Sequence, residues 1–257
     1  MSLYEHFRKD EHSFVDQVID WKQTAEVEYR AKLTDFLDPR QQQIIKQIVG
    51  NSEEVKVDFQ GGHDATERKR ALFYPDYLVP EKEDFQISLF EIEYPGKFVT
   101  LEHRHVLGAL MSLGLKREKF GDIITDNSRF QLIVAEEVAD YIKVNFQSAG
   151  KAKIKLKPLE EEDLLVQVKS LEEKFITVSS MRLDTVIAEA FNLSRAKVKP
   201  LVTGEKVKVD WKVVDDPSYP LAKGDVLSVR GAGRCEILEM DGQTKKGKHR
   251  LIIGFPS

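Results

Sequence analysis

The sequence predicts an α+β protein built from successive regions of different character. Residues 1–74 are predicted to form an N-terminal α-rich region, because apolar residues recur there at helical spacing. Residues 75–160 alternate strand-like and helix-like segments in the order β-α-β-β-α-β, the ferredoxin-like arrangement. Residues 180–257 contain two short helices followed by the alternating apolar pattern of a small antiparallel sheet. An acidic run at 160–163 marks the boundary after the middle region. Residues 161–179 are predicted to be linker and strand.

Two helices and two strands are predicted in the first region. The first helix carries apolar residues at helical spacing, namely Phe14, Val15, Val18 and Trp21. The second begins at Asp38, a favourable N-cap, with Pro39 at its first helical position, and it ends at Gly50. Strands are predicted at 55–59 and at 72–74.

The middle region supplies the six elements of an RRM-like fold. Strands are predicted at 85–94, 121–125, 130–135 and 152–156, and helices at 103–113 and 136–146. This topology also hosts unrelated functions, so by itself it does not establish RNA binding. The third strand of an RRM carries a basic residue, a glycine and spaced aromatics. Residues 129–134 lack the glycine and the aromatic alternation, so we expect no base-stacking platform on this sheet.

The charge of the chain is unevenly distributed. The 257 residues carry a net charge of −4, but residues 180–257 hold 14 Lys and Arg against 10 Asp and Glu. That region is therefore at +4 and the remainder at −8. Since nucleic acid is contacted through one face of a protein, the split favours a nucleic-acid binder whose basic surface lies at the C-terminus.

Composition also limits other classes of protein. A single cysteine, Cys235, excludes an intramolecular disulfide and a cysteine-cluster zinc site, which fits a reducing cytoplasm. No apolar run approaches the roughly 18 residues of a membrane-spanning helix, and the mixed charges of residues 1–20 are not those of a signal peptide. His103 and His105 are two apart on a predicted helix and point away from each other, so no metal site is expected.

The last region concentrates basic residues on its two predicted helices and on the turns that follow. The first helix begins near Arg182, and the second, capped by Ser194, places Arg195 and Lys199 four apart on one face. Several such groups on one patch would neutralise RNA phosphates. The predicted RNA-binding residues are Arg182, Arg195, Lys197, Lys199, Lys206, Lys208, Arg230, Arg234, Lys245 and Lys246.

Other basic or glycine-rich segments allow two interpretations. The run 230–234, Arg-Gly-Ala-Gly-Arg, is more typical of a bulge or tight bend than of a phosphate loop, although its arginines could flank a phosphate. The tip at 245–248 is either a solvated loop or a secondary RNA contact. The group at 68–70, like Arg104, Lys116, Arg117 and Lys119, is either a solvated face or an auxiliary RNA surface.

Residues 182–230 resemble an S4 RNA-binding domain. The matching pieces are Arg182-Leu183-Asp184, Ser194-Arg195, Gly204 with Val207-Lys208-Val209, and Lys223-Gly224-Asp225. The resemblance implies that Arg182, Arg195, Lys199 and Lys206 face RNA. The family usually has Asn-Gly after the valines, whereas Asp210-Trp211 stands here, so a different turn geometry is expected. Pro200 is expected to kink or shorten the second helix.

The whole chain resembles the bacterial YlmH-like proteins. The shared pieces, in order, are 67–70, 73–75, 105–110, 115–119, 121–123, 230–234 and 244–248. That family joins an N-terminal region, an RRM-like domain and a C-terminal S4 domain. The resemblance implies binding to ribosomal particles and tRNA in the rescue of stalled large subunits.

The resulting hypothesis is a non-catalytic RNA-binding protein whose partners are rRNA or tRNA and the large ribosomal subunit. No catalytic residue and no cofactor are expected. An RNA-modifying enzyme anchored by an S4 domain is one alternative. However, residues 1–170 lack a methyltransferase glycine turn, synthetase ATP motifs are not visible, and Arg-Leu-Asp at 182–184 belongs to a helix start. A protein adaptor acting through the acidic N-terminal half is the other alternative.

Overall fold

A computed structural model describes residues 3–50, 52–126, 129–165, 171–244 and 247–256. The chain divides into two compact units, Met1–Gln167 and Val168–Ser257. Within the described residues, no helix is long and apolar enough to cross a membrane.

The first unit begins with a small α/β layer. Its elements are α1 (His12–Val27), β1 (Lys32–Leu37), α2 (Pro39–Val49), β2 (Val55–Gln60) and β3 (Lys69–Pro75). The strands form an antiparallel sheet in the order β1-β3-β2, and both helices pack on it through Val18, Ile45 and Phe73. The predicted start of α2 is confirmed. The Asp38 carboxylate accepts a hydrogen bond from the Gln41 N–H at 2.9 Å, which satisfies an otherwise free donor of the first turn.

The same unit continues into the predicted ferredoxin-like fold, which is confirmed. Its elements are β4 (Ile87–Glu93), α3 (His103–Ser112), β5 (Phe120–Asp126), β6 (Arg129–Ala135), α4 (Glu136–Asn145), β7 (Ser148–Ala149), β8 (Ala152–Lys153) and β9 (Lys155–Pro158). The sheet order is β5-β6-β4-β9, antiparallel throughout, and β7 and β8 form a separate short hairpin. Its helices bury Val106, Leu110 and Ile142 against Phe90 and Leu132.

The other face of this sheet is closed by the chain itself. Gln131, at the centre of β6, is fully buried. Its side-chain amide donates to Glu91 Oε2 at 2.8 Å and to the Asp163 carbonyl at 3.1 Å, and its Oε1 accepts from the Leu165 N–H at 2.6 Å. Phe36 packs on the same face. The surface on which an RRM stacks bases is therefore inside the protein.

Three arginines, one buried and two half-buried, join the two sheets of the first unit. Register shifts in β1 and β5 leave backbone carbonyls outside the strand ladders. Arg70, only 4% exposed, donates to the Thr34 carbonyl at 2.8 Å. Arg68 donates to the Phe36 carbonyl at 2.8 Å, and Arg117 to that of Phe120 at 2.6 Å. The 68–70 group was interpreted as either a solvated face or an RNA surface. Neither interpretation describes Arg68 and Arg70, because their guanidinium groups donate to backbone carbonyls inside the first unit.

The second unit is a six-stranded antiparallel sheet covered on one face by two helices. Its elements are β10 (Leu171–Val178), α5 (Leu183–Ala190), α6 (Arg195–Thr203), β11 (Val207–Val209), β12 (Lys212–Val213), β13 (Val226–Val229), β14 (Gly233–Gln243) and β15 (His249–Pro256). The sheet order is β10-β15-β14-β13-β11-β12. Part of the predicted linker, β10, pairs with β15 along its whole length. The core includes Val186, Ile187, Val198, Leu227 and Ile237.

Candidate nucleic-acid interface

Arg182 is held at the start of α5 by a bidentate ion pair. Its Nε and Nη2 lie 3.0 and 3.1 Å from the two carboxylate oxygens of Asp184. The backbone N–H groups of Leu183 and Asp184 donate to the carbonyls of Tyr219 and Pro217, which fixes the first turn. Burial alone would raise the pKa of Asp184, but the hydrogen bond from Arg182 lowers it overall. The carboxylate therefore stays ionised and orients an exposed guanidinium.

Arg195, the first residue of α6, reaches back to the same place. Its Nη2 donates to Ser179 Oγ at 3.0 Å and lies 3.4 Å from Thr185 Oγ1. Thr185 Oγ1 in turn donates to Asp184 Oδ1 at 3.2 Å. Ser179, Arg182, Asp184, Thr185 and Arg195 thus form one polar cluster, the helix-start network. It brings two of the predicted RNA-binding arginines together, both exposed.

The second helix differs from expectation at its N-cap. Ser194 occupies the N-cap position, but its hydroxyl makes no capping bond, and its carbonyl accepts from the N–H groups of Lys197 and Val198 instead. Pro200 lies inside α6 and does not shorten it, since the helix continues to Thr203. Lys197 and Lys199 are both exposed on α6, as predicted.

The β11–β12 turn was expected to differ from the family's Asn-Gly turn. This expectation was wrong, because the turn has the geometry that Asn-Gly favours. Asp210 and Trp211 have φ of 48° and 64°, and positive φ at both central residues defines a type I′ hairpin. A tryptophan is strained in this region. The backbone N–H and the carboxylate of Asp210 both bond the backbone of Val226, each at 2.9 Å, and the Arg234 guanidinium lies 4.8 Å from the Trp211 ring centroid. These contacts hold the strained turn.

The predicted basic residues do not all share one patch. Lys208 pairs with Ser228, and Ser228 with Arg234, across neighbouring strands. Their neighbours along the strands, including Val207 and Val229, are buried under the helices, so Lys208 and Arg234 lie on the opposite face of the sheet. The expectation of a single patch was wrong, because side-chain direction alternates along each strand.

The remaining candidates fall at loops. Lys206 and Arg230 are exposed and adjacent, since the Arg230 N–H donates to the Lys206 carbonyl at 2.9 Å. The glycine-rich run forms the β13–β14 turn, with φ of 85° at Gly231, so the tight-bend interpretation is confirmed. Lys245 and Lys246 lie outside the described residues.

The thiol of Cys235 and the metal-ligating residue types are the remaining candidate groups. Cys235 is buried, and burial raises the pKa of its thiol to about 12, so the reactive thiolate is disfavoured. The part of the chain that the structure describes contains no group of three or more His, Cys, Asp or Glu that could hold a metal.

Sequence reasoning missed Trp211 as a candidate contact and Thr185 as the residue that connects the arginines. Trp211 was treated only as a departure from the Asn-Gly pattern. A large aromatic at a polar hairpin tip is itself a signal, since aromatic rings beside arginine offer a stacking surface for bases; Trp211 is half-buried.

The fold and these surfaces define a protein with a C-terminal S4-type module after a ferredoxin-like domain. Family models match in the same order: "YlmH, N-terminal" at 10–78, "Putative RNA-binding domain in YlmH" at 80–163 and "S4 domain" at 181–227. The chain is 47% identical over 251 residues to the Bacillus subtilis (strain 168) protein named "Ribosome-associated protein quality control protein P2", covering 98% of this chain and 97% of that one. The chain belongs to the YlmH family.

Two other likenesses are more limited. The solved structure of "Cell division protein ylmH from Streptococcus pneumoniae" is 30% identical with a TM-score of 0.55, covering 64% of this chain and all of that one. An uncharacterised RNA pseudouridine synthase of Mycoplasma genitalium is 36% identical over 59 residues, 23% of this chain and 19% of that enzyme. This likeness is confined to the S4 domain.

Proposed function

We propose that this protein is a non-catalytic RNA-binding factor of the cytoplasm that uses its S4 domain to bind rRNA or tRNA on the large ribosomal subunit, in translation quality control. The observation that carries the proposal is the helix-start network, which presents Arg182 and Arg195 side by side, exposed and oriented. The name of the B. subtilis relative supports the ribosomal setting.

The positions of these arginines fit a phosphate ligand. Arg182 is the N-cap of α5, and Arg195 is the first residue of α6. Cations are disfavoured at helix N-termini, where the partial positive charge of the peptide dipoles accumulates, whereas anions are favoured. Asp184 already offsets this repulsion at the start of α5, whereas α6 has no acidic residue in its first turn. A phosphate bound there would relieve the repulsion at α6 and accept hydrogen bonds from the guanidinium N–H groups that Asp184 and Ser179 do not occupy. The electrostatics at these helix starts therefore favour a bound anion.

The non-catalytic part of the proposal has separate support. The likeness to a pseudouridine synthase covers 19% of that enzyme and lies in the S4 domain. Arg182 and Asp184 of this chain are engaged with each other at the start of α5. The ion pair explains both residues structurally, because Asp184 orients the Arg182 guanidinium, and neither residue needs a catalytic role.

Co-sedimentation with purified large ribosomal subunits tests the proposal. Arg182→Glu with Arg195→Glu should reduce the bound fraction at least ten-fold, because two phosphate contacts become repulsive. Lys174→Glu with Lys223→Glu changes the charge equally at exposed positions of the same unit and should bind nearly as the wild type. Equal binding by both double variants would contradict the proposal.

A protein partner of the first unit is a second candidate, favoured by exposed apolar side chains. Val27, Tyr29, Tyr77 and Val79 are each more than 60% exposed, and the Tyr77 hydroxyl lies 3.5 Å from the Tyr29 carbonyl. Such grouped exposure is typical of protein interaction sites. Chemical crosslinking of nuclease-treated ribosomal fractions, with Tyr29→Ser and Tyr77→Ser as the variant, should yield protein adducts that the variant loses. Adducts that persist in the variant would exclude this surface.

A further inference from the structure

The acidic first unit contains one strongly basic segment outside the predicted site. Residues 141–159 carry five lysines, at 143, 151, 153, 155 and 157, and no Asp or Glu. Residues 1–179 together carry a net charge of −8, so this stretch is a local reversal of sign. A basic stripe of this kind is the electrostatic signature of a nucleic-acid contact.

Strand geometry directs these lysines outward. Ala152 and Ile154 are buried in the core of the ferredoxin-like fold. Lys153 and Lys155 alternate with them and are exposed. The strand β9 is at the edge of its sheet, so among the described residues its outer side has no paired strand.

Lys143, Lys153 and Lys155 line one open groove of about 800 Å³. We call it the β9 groove; the end of β4 and the last turn of α4 complete its walls, with Tyr94 and Gln147 among the lining residues. Tyr94 is half-buried, and its ring packs edge-on against Phe130, with the centroids 5.9 Å apart. The groove therefore places a packed aromatic side chain beside three lysines.

The groove lysines are poorly neutralised. Within the described ranges Lys153 and Lys155 make no ion pair, and the partner of Lys143, Asp140 at 3.0 Å, is 95% exposed. Such surface pairs contribute little. Glu93 is the single acidic residue of the lining, opposite Lys155 in the strand register, so three lysines face one carboxylate.

We propose that the β9 groove binds a single-stranded RNA segment, with Lys143, Lys153 and Lys155 on its phosphates and Tyr94 against a base. This deepens the proposed function by adding a second contact surface, and it rests on that function only in taking RNA as the ligand. A basic groove with an aromatic wall is how proteins hold single strands without reading their sequence. The sheet face that an RRM would use is closed by Gln131 and its partners, so the edge groove takes its place.

Fluorescence anisotropy of the full-length protein with a dye-labelled oligouridylate tests this directly. Lys143→Glu with Lys153→Glu and Lys155→Glu should weaken binding at least ten-fold at low salt. The slope of log affinity against log salt should fall by about 2, since each phosphate contact on a single strand contributes about 0.7. The matched control is Lys9→Glu with Lys46→Glu and Lys56→Glu, which are exposed lysines of the same unit outside the groove. It should leave affinity within two-fold. If the reversed triple variant loses its wild-type melt, the corresponding Lys→Gln triple variant replaces it.

The outcomes separate this inference from the proposed function. Oligouridylate binding that survives Arg182→Glu with Arg195→Glu but is lost in the groove variant supports the groove. Binding lost in the helix-start variant and unchanged in the groove variant overturns the groove and leaves the S4 proposal standing. Tighter binding of poly-glutamate than of oligouridylate, sensitive to the groove lysines, would assign the groove to an acidic protein instead and also overturn it.

Discussion

The arginines of the two units occur in similar basic clusters of the sequence but have different roles in the structure. In the first unit, Arg68, Arg70 and Arg117 donate to interior carbonyls at 2.6 to 2.8 Å. In the second, Arg182 and Arg195 are exposed and oriented by side chains. A cluster of basic residues in the sequence therefore does not identify an RNA surface. What decides is whether the guanidinium groups are exposed or are committed to backbone carbonyls inside the fold.

Electrostatics reinforce this contrast. Burial, with the neighbouring charge of Arg68, lowers the pKa of Arg117 to about 10. The pKa of Arg182 is instead raised by its hydrogen bond to Asp184. Arg117 therefore carries a desolvation penalty inside the fold, whereas the charged form of Arg182 is favoured at the start of α5.

The largest expected effect is on stability, at the interior arginines. Arg70→Ala should lower the free energy of unfolding by about 3 kcal/mol, because it leaves the buried Thr34 carbonyl without its donor and removes the guanidinium from Gln86 and Glu137. The Gln86 carbonyl keeps the Glu136 N–H and Glu137 keeps Lys119, so the loss at Thr34 dominates. Urea unfolding followed by circular dichroism measures this. Arg30→Ala, in an exposed pair with Glu28, should change it by less than about 0.5 kcal/mol. A loss below 1 kcal/mol at Arg70 would remove the contrast between the units.

At the exposed basic residues of α6, substitution should change RNA binding and leave stability unchanged. Arg195→Glu with Lys199→Glu should weaken binding to large ribosomal subunits roughly 100-fold at low salt, because charge-assisted contacts are lost and repulsion is added. The melting temperature should stay nearly unchanged, since both side chains are exposed. A large drop in melting temperature with intact binding would show that these residues are structural like Arg70.

A smaller effect is expected at the strained turn of the second unit. Asp210→Ala should lower stability by about 1 to 2 kcal/mol, since it removes the acceptor for the Val226 N–H and a side chain tolerated at positive φ. Asp210→Asn retains an acceptor oxygen and should be nearly neutral in the same urea titration. Equal losses in both variants would mean that the carboxylate charge, not the turn, matters.

The smallest effect concerns pH. Burial raises the pKa of Asp184, but the hydrogen bond from Arg182 outweighs burial, and the pKa is lowered in the folded state. The contribution of Asp184 to stability is therefore fully present above the ordinary value near 3.9. It is lost as pH falls through the lower, folded-state pKa. Carboxyl NMR titration should place Asp184 below that value in the wild type and higher in Arg182→Ala. A midpoint unmoved by the substitution would remove Arg182 as the cause.

The sequence predicted most of the local structure because local signals determine it. Asp38 and Pro39 fix the start of α2, and the alternation of strands and helices gives the ferredoxin-like order. The burial of Gln131 and Arg70 could not be predicted in the same way. It depends on strand irregularities and on residues 32 or more positions away in the chain.

The candidate site was predicted in part. Arg182 and Arg195 are found together, but Lys208 lies across the sheet from the helices, because face assignment requires the strand register. The Asp210-Trp211 turn was predicted to differ because these residues depart from the family's usual Asn-Gly, but it has the same geometry. Tertiary contacts from Val226 and Arg234 support it there.

The most direct test of the central claim is UV crosslinking in cells followed by RNA sequencing. Wild type is compared with Arg182, Arg195 and Lys199 all changed to alanine, and with the exposed-lysine control at 9, 46 and 56. Crosslinks concentrated in tRNA and large-subunit rRNA, kept in the control and lost in the alanine variant, are the predicted result. Crosslinks that are absent from all three, or unchanged in the alanine variant, would contradict RNA binding through the helix-start network.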